Sequence, residues 1–241
     1  LRNNADKYAI KLCEKEISER FLELIIKLHN KHKRQVVVLI DEYDKPLLDT
    51  LTKPAAENIG NELSGFYSVL KAAETYVKFV FITGVSKFSK TNLFSNLNNL
   101  TDISLDEDFA DICGYTQTDM ETVFKEYIQD VDVEKMKKWY DGYNFLGSNL
   151  YNPFDVLLFL QKKKFQPYWF ETGTPSFLME LIKEQQFYLP KLDEINITSS
   201  QMGEFDIHQI ELDVLLFQTG YLTIKNTIEI DGEAFQYEFE Y

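Results

Sequence analysis

The sequence predicts an α/β protein in which a partial parallel sheet is followed by a helical segment and a winged-helix-like end with a β-hairpin. Two apolar runs, Val36-Val37-Val38-Leu39-Ile40 and Val77 to Thr83, flank a stretch of helical spacing from Asn61 to Glu74. Strand, helix, strand with apolar strands is the βαβ arrangement, and it implies parallel pairing. Proline-started helical patterns then dominate. The chain closes with two stretches, 221–230 and 233–241, on either side of Asp231-Gly232, a dipeptide that favours a tight hairpin turn.

Each element has its own local cause. From Ala5 to His29 the apolar residues Ile10, Cys13, Ile17, Phe21, Leu24 and Leu28 recur at steps of three and four, which predicts one long amphipathic helix ended by Lys31, Lys33 and Arg34. The β-branched run at 36–40 has no polar alternation, so both faces of that strand are expected to be covered, as in the centre of a parallel sheet. Leu63, Phe66, Tyr67, Leu70 and Ala73 line one face of the next helix. The α/β layer is expected to end near Gly114. Thr116 or Thr118 can cap a helix carrying Met120, Val123, Phe124, Tyr127 and Ile128, and Thr118 to Glu121 has capping-box spacing. Asn152-Pro153 and Thr174-Pro175 place proline in a first helical turn. A last helix runs through Ile210, Val214 and Phe217 and stops at Gly220. The expected division is residues 1–114 as a partial α/β core, 115–190 as a helical lid and 191–241 as a winged-helix-like segment with the hairpin.

Composition narrows the function. Of 241 residues 44% are hydrophobic and 15% aromatic, enough for a packed core. Two cysteines, Cys13 and Cys113, form neither a disulfide framework nor a CxxC metal pair, so a reducing, cytoplasmic setting is expected. His29, His32 and His208 make no zinc site, and no GxSxG elbow is present. No apolar run is long enough for a bilayer, so no membrane partner is expected. The net charge of -14 is uneven: residues 1–100 hold 15 basic and 12 acidic side chains, and residues 101–241 hold 10 and 27. So negative a second half repels a phosphate backbone, and direct nucleic-acid binding is not expected beyond a local patch such as Lys162-Lys163-Lys164. After Arg2, Arg20 and Arg34 there is no arginine to grip a phosphate bidentately.

The sharpest chemical signal is Asp41-Glu42, two adjacent carboxylates at the C-terminal end of an apolar strand. In open α/β sheets that edge is where ligands bind. An aspartate there can hold Mg²⁺ against nucleotide phosphates while the neighbouring glutamate orients and deprotonates the attacking water. Successive strand residues point to opposite faces, so one carboxylate is expected to face the metal and the other the γ-phosphate. The plainer alternative is that the pair opens a solvated loop. Thr83-Gly84-Val85-Ser86 closes the second strand, and a hydroxyl there, Thr83 or Ser86, can sense the γ-phosphate, or the segment is a simple strand exit. Gly84 to Thr91 imitates G-x-x-x-x-G-K-[ST] but has Ser89 where the loop needs glycine, and it follows the acidic strand instead of preceding it. It is rejected as a phosphate loop, and the chain has no other.

These stretches together resemble the AAA-ATPase-like family, bacterial proteins that often carry a PD-(D/E)XK nuclease-like domain after the ATPase module. The resemblance runs through Val36 to Asp49, Phe79 to Lys90, Asp102-Ile103-Ser104-Leu105, Tyr140-Asp141-Gly142-Tyr143, Tyr151-Asn152-Pro153-Phe154 and Tyr168 to Pro175, in the family's order. It implies an incomplete parallel-sheet P-loop NTPase core of AAA-like type with a helical and winged lid. Asp41 would be the Walker B aspartate and Mg²⁺ holder, Glu42 the catalytic glutamate, and Thr83 or Ser86 a nucleotide-sensing residue. Gly173-Thr174-Pro175 is similar to the G-x-P turn that places a lid helix near the nucleotide, so Gly173 and Pro175 join the nucleotide-binding candidates; a proline-started helix after a glycine turn is the plainer alternative. Tyr140, Tyr143, Trp169 and Phe170 are expected in the lid core and not on a base-stacking surface.

The chain opens with Leu1 and closes on a strand-like alternation, so it is expected to be a piece of a longer protein, with the Walker A loop upstream and the nuclease-like domain downstream. Mg²⁺ and ATP would then serve the full-length protein, with none expected bound to the fragment and little activity from it alone. Two other readings compete: a non-catalytic scaffold with a degenerate nucleotide fold and a protein-binding acidic lid, and a metal-dependent nuclease centre formed by Asp41, Glu42 and Asp44.

Overall fold

The computed structural model describes residues 1–50, 53–86, 97, 99–171, 176–184, 186, 195–202, 211–230 and 234–240. It is a mixed α/β structure with small sheets, and it divides into two compact units, one holding Leu1–Thr101 and the other Asp102–Met202 with Leu212–Tyr241. Among the described residues no helix is long and apolar enough to cross a membrane.

The first unit opens with α1 (Arg2–Lys7) and α2 (Ile17–His32), not with one continuous helix. The chain turns back at Ala9, whose φ is +48°, and the Glu23 carboxylate accepts the Cys13 amide at 2.8 and 3.0 Å and the Glu14 amide at 3.1 Å. A side chain nearly two turns into α2 thus satisfies amides that a continuous helix would have used internally. The apolar spacing is still honoured, because Ile10 packs with Ala5 and Leu24.

β1 (Val36–Ile40) follows, then α3 (Lys45–Leu48), α4 (Ala56–Ala72) and β2 (Val77–Ile82). β1 and β2 pair in parallel, with Val38 opposite Val80 and Ile40 opposite Ile82. Phe21, Leu24 and Ile25 of α2 and Tyr67 and Leu70 of α4 are buried, and Phe21 stacks on Phe66 at 4.6 Å between ring centres. Each such burial contributes about 1.5–3 kcal/mol. The expectation of strands covered on both faces is corrected: Val38 is buried, but Val37, Leu39 and Phe79 are 51%, 70% and 53% exposed. An unbroken apolar run records that both faces are apolar, not that both are covered within this chain.

In the second unit α5 (Gln117–Thr122) is capped by Thr116, one of the two expected caps, and the capping box pairs Thr116 with Asp119 and not Thr118 with Glu121. The helix is shorter than its apolar spacing implies; Phe124 and Ile128 pack from the turns beyond it. α6 (Val133–Tyr140) leads into β3 (Asp141–Tyr143), which pairs antiparallel with β4 (Leu150–Tyr151). α7 (Pro153–Lys162) starts at the expected Asn152-Pro153, with the Asn152 side chain accepting the Phe154 and Asp155 amides. α8 (Tyr168–Glu171) and α9 (Ser176–Glu184) follow. Met120, Met136, Tyr140, Tyr151, Val156, Phe159 and Tyr168 form the core. Tyr140 is therefore in the core of this unit, whereas Trp169 is 43% exposed.

The unit closes with β5 (Asn196–Thr198), α10 (Ser199–Met202), α11 (Leu212–Gln218), β6 (Thr223–Ile230) and β7 (Ala234–Glu240). The hairpin strands pair as expected, although within a three-stranded antiparallel sheet of order β5-β7-β6, and Asp231-Gly232 lies outside the described residues.

One buried charge makes this unit's stability depend on pH. Asp155 is buried on α7, and its Oδ1 accepts the Trp169 amide at 2.8 Å, tying α7 to α8. Burial pushes its carboxyl up to about 6, against the smaller opposing pull of that hydrogen bond. The unfolded chain releases this proton near pH 4. The folded form thus holds a proton the unfolded form lacks between about pH 4 and 6, and the associated stability, complete below pH 4, is lost as pH rises through 6. Asp155→Asn keeps an oxygen for Trp169 without a charge. Its stability relative to the native chain is therefore expected to improve by about 1–2 kcal/mol between pH 5 and pH 8. Urea denaturation at both pH values measures this, and a difference independent of pH contradicts it.

Candidate functional site

The parallel pairing of β1 and β2 continues beyond the strands themselves. The Thr83 amide donates to the Ile40 carbonyl at 2.8 Å, and the Tyr43 amide donates to the Thr83 carbonyl at 3.0 Å. This brings residues 41–44 alongside residues 83–86. The Thr83 hydroxyl donates to Asp41 Oδ1 at 2.6 Å, the short distance of a charge-assisted hydrogen bond. Of the two hydroxyls considered at this exit, it is the one in contact with the exposed acidic pair.

Asp41 and Glu42 are both exposed, and they lie just past the end of β1. The expected division of their directions by strand pleat is corrected, because the extended backbone stops at Ile40. Glu42 instead has a φ of +51°, in the left-handed region, and its amide donates to Asp41 Oδ1 at 3.1 Å. A left-handed non-glycine residue costs roughly 1–2 kcal/mol, and such strain gathers at functional turns. Both bonds to Asp41 fall on Oδ1, which leaves Oδ2 for a cation or its water. The fit to Mg²⁺ is chemical: hard carboxylate oxygens on an accessible turn are the donors that ion takes.

Asp44 and Ser86 take a different place. Asp44 is completely buried. Its Oδ1 accepts the Val85 amide at 3.2 Å, while its Oδ2 accepts the Ser86 amide at 2.6 Å and the Ser86 hydroxyl at 2.7 Å. Ser86, the other hydroxyl candidate, is thus buried with its hydroxyl turned to Asp44. Asp44 has its back to the doublet's chemistry, so the nuclease reading loses its third carboxylate. Among the described residues no group of three His, Cys, Asp or Glu side chains is placed to hold a metal ion. Gly173 and Pro175 lie outside the described residues.

Two tyrosines hold the arrangement from the side. The Tyr43 hydroxyl donates to the Ser86 carbonyl at 2.8 Å, and the Tyr67 hydroxyl of α4 donates to the Tyr43 carbonyl at 3.0 Å. Burial, with the nearby Asp44 charge second, pushes the Tyr67 hydroxyl up to about 12, which keeps it a donor. Sequence reasoning gave neither tyrosine a part in this arrangement, and it gave Asp44 one only as the third carboxylate of the nuclease alternative. One signal was available for Asp44: it precedes Lys45-Pro46 at the start of α3, where an aspartate ordinarily caps the helix, yet its side chain makes no capping bond.

Gly84 permits the close approach. A methyl group built there would collide with the Tyr43 ring and stand 2.6 Å from Asp44 Oδ1. Both neighbours are buried, so neither can swing away. Gly84→Ala is expected to destabilise the chain by about 1–3 kcal/mol. Glu42→Gly, which relieves the left-handed strain, is expected to stabilise it by up to about 1 kcal/mol. Thermal denaturation of the two variants tests the pair, and a neutral Gly84→Ala refutes the close packing.

A family model described as Predicted AAA-ATPase (AAA-ATPase_like) matches residues 1–94. An uncharacterized protein in the vnfD 5′ region of Azotobacter chroococcum mcd 1 is 44% identical over 239 residues, covering 99% of this chain and 46% of that protein. The chain therefore spans about half the length of this relative. No solved structure matches it. The stretch from Asp41 to Ser86, with both strand exits, lies wholly inside the family match, and that match over residues 1–94 supports an AAA-ATPase-like assignment.

Proposed function

We propose that this chain is the Walker B, sensor and lid portion of an ATP-hydrolysing module, with the first unit as part of a P-loop core and the second as its lid. The observation that carries the reading is the 2.6 Å contact between Thr83 and Asp41. It joins a hydroxyl and an exposed acidic doublet at the C-terminal edge of two parallel strands, the edge at which α/β sheets receive nucleotides. The apolar surface at Val37, Leu39 and Phe79 supports the reading too, because a larger parallel sheet covers such surface on both sides.

The roles follow from position. Asp41 holds Mg²⁺ through Oδ2 or a bound water, and when bound that ion neutralises charge on the phosphate oxygens. Glu42, exposed and aimed by its left-handed backbone, orients the attacking water and accepts its proton. Thr83, in contact with Asp41, reports the γ-phosphate to β2. Gly173 and Pro175 keep the lid-turn role that the family resemblance implies. The hairpin end, α10 and α11 followed by β6 and β7, serves as a winged second half of the lid.

The 241 residues contain no G-x-x-x-x-G-K-[ST] loop, so the amide cradle and lysine for ATP come from elsewhere in the full-length protein. On this reading the stretch alone turns over little or no ATP. A nuclease-like domain is the partner proposed in the longer chain, in a reducing, cytoplasmic setting without direct nucleic-acid contact by this segment.

Steady-state ATP turnover by the full-length protein tests the assignment. Glu42→Gln is expected to lower kcat by about 10²–10⁴-fold while ATP binding is retained. Asp41→Asn is expected to weaken the response to Mg²⁺. Turnover unchanged by Glu42→Gln defeats the catalytic assignment, and absence of turnover from the native full-length protein favours the scaffold reading.

A further inference from the structure

We propose that Asp44 is a positioning residue of this site, a buried carboxylate that fixes Thr83 against Asp41 by anchoring the chain just beyond it. The proposal rests on the hydrolytic reading of Asp41, Glu42 and Thr83 given above.

A carboxylate wholly withdrawn from water persists only where donors replace its hydration. At Asp44 the three donors are the Val85 amide, the Ser86 amide and the Ser86 hydroxyl, all two or three residues past Thr83. Thr83 is therefore held from both directions. Before it, β2 is registered on β1, and its own amide and carbonyl bond Ile40 and Tyr43. After it, the short tether ends on Asp44. With both sides fixed, its hydroxyl reaches Asp41 Oδ1 without any search.

Ser86 acquires a purpose by the same geometry. Its hydroxyl completes the set of donors to Asp44 and does not face the doublet. Gly84 is the residue between the two contacts, and its missing side chain lets the tether pass over Tyr43 and Asp44. Asp44→Asn replaces one acceptor oxygen by a donor, so at least one of the three N–H or O–H groups meets an NH₂ and is left unsatisfied. The Tyr43 and Tyr67 hydroxyl bonds persist in that variant and keep the fold assembled. What loosens is the tether alone.

The distinguishing test is a double-mutant cycle on ATP turnover by the full-length protein, using Asp44→Asn and Thr83→Ala, because residues acting through one contact are non-additive. Asp44→Asn is expected to reduce kcat about tenfold in the native background and less than about twofold in the Thr83→Ala background. It is also expected to raise the Mg²⁺ concentration giving half-maximal turnover, which a simple loss of folded molecules would leave in place. Equal loss in both backgrounds, or no loss in either, overturns the proposal. Should the native full-length protein lack turnover, the functional reading fails separately, and amide exchange across residues 83–86 decides the anchor. Exchange about tenfold faster in Asp44→Asn, confined to that segment, sustains it, and unchanged exchange overturns it.

Discussion

The first unit depends on the closure between the exits of two parallel strands. β1 and β2 would end at Ile40 and Ile82 if ladder hydrogen bonds alone joined them. The union extends four residues further because the Thr83 amide bonds the Ile40 carbonyl, the Tyr43 amide bonds the Thr83 carbonyl, and the buried Asp44 carboxylate gathers Val85 and Ser86. A buried charge with a full set of donors specifies geometry strongly, since an arrangement that leaves it unpaired in the interior is costly. The exposed pair next to it then inherits a defined position without being buried itself.

Four consecutive residues thus divide into an exposed pair and a buried pair. Tyr43 and Asp44 are buried and hold the turn, whereas Asp41 and Glu42 are exposed, with Asp41 Oδ1 bonded to Thr83 and to the Glu42 amide. The left-handed backbone at Glu42 is the local cost of the arrangement. Such a turn is sustained when its surroundings over-determine it, and the Tyr67 bond to the Tyr43 carbonyl from α4 does so. The second unit is organised by different means, an aromatic core around Tyr140 and Tyr168 in which Asp155 ties two helices.

Much of this was legible in the sequence wherever the cause is local. The β-branched run at 36–40, the helix between the two strands, the parallel pairing, the Asn152-Pro153 start and the terminal hairpin strands all follow from neighbouring residues. The meeting of Thr83 with the acidic strand followed from the βαβ reading. What escaped was set by distant partners. Glu23 captures the amides of Cys13 and Glu14 and so splits a helix whose apolar spacing looks continuous. Asp44 looks like a surface acid at a helix start, and its burial is decided by amides some forty residues later. The covering of an apolar strand is likewise invisible in the strand, as exposed Val37 and Leu39 demonstrate.

The most direct test of the account is a crystal structure of the full-length protein with Mg²⁺ and a non-hydrolysable ATP analogue. The account predicts Mg²⁺ within direct or single-water reach of Asp41, the Glu42 carboxylate facing the γ-phosphate, and Thr83 still bonded to Asp41 beside the bound nucleotide. A nucleotide seated away from the β1 and β2 exits, with Asp41 and Glu42 in open solvent, would contradict it.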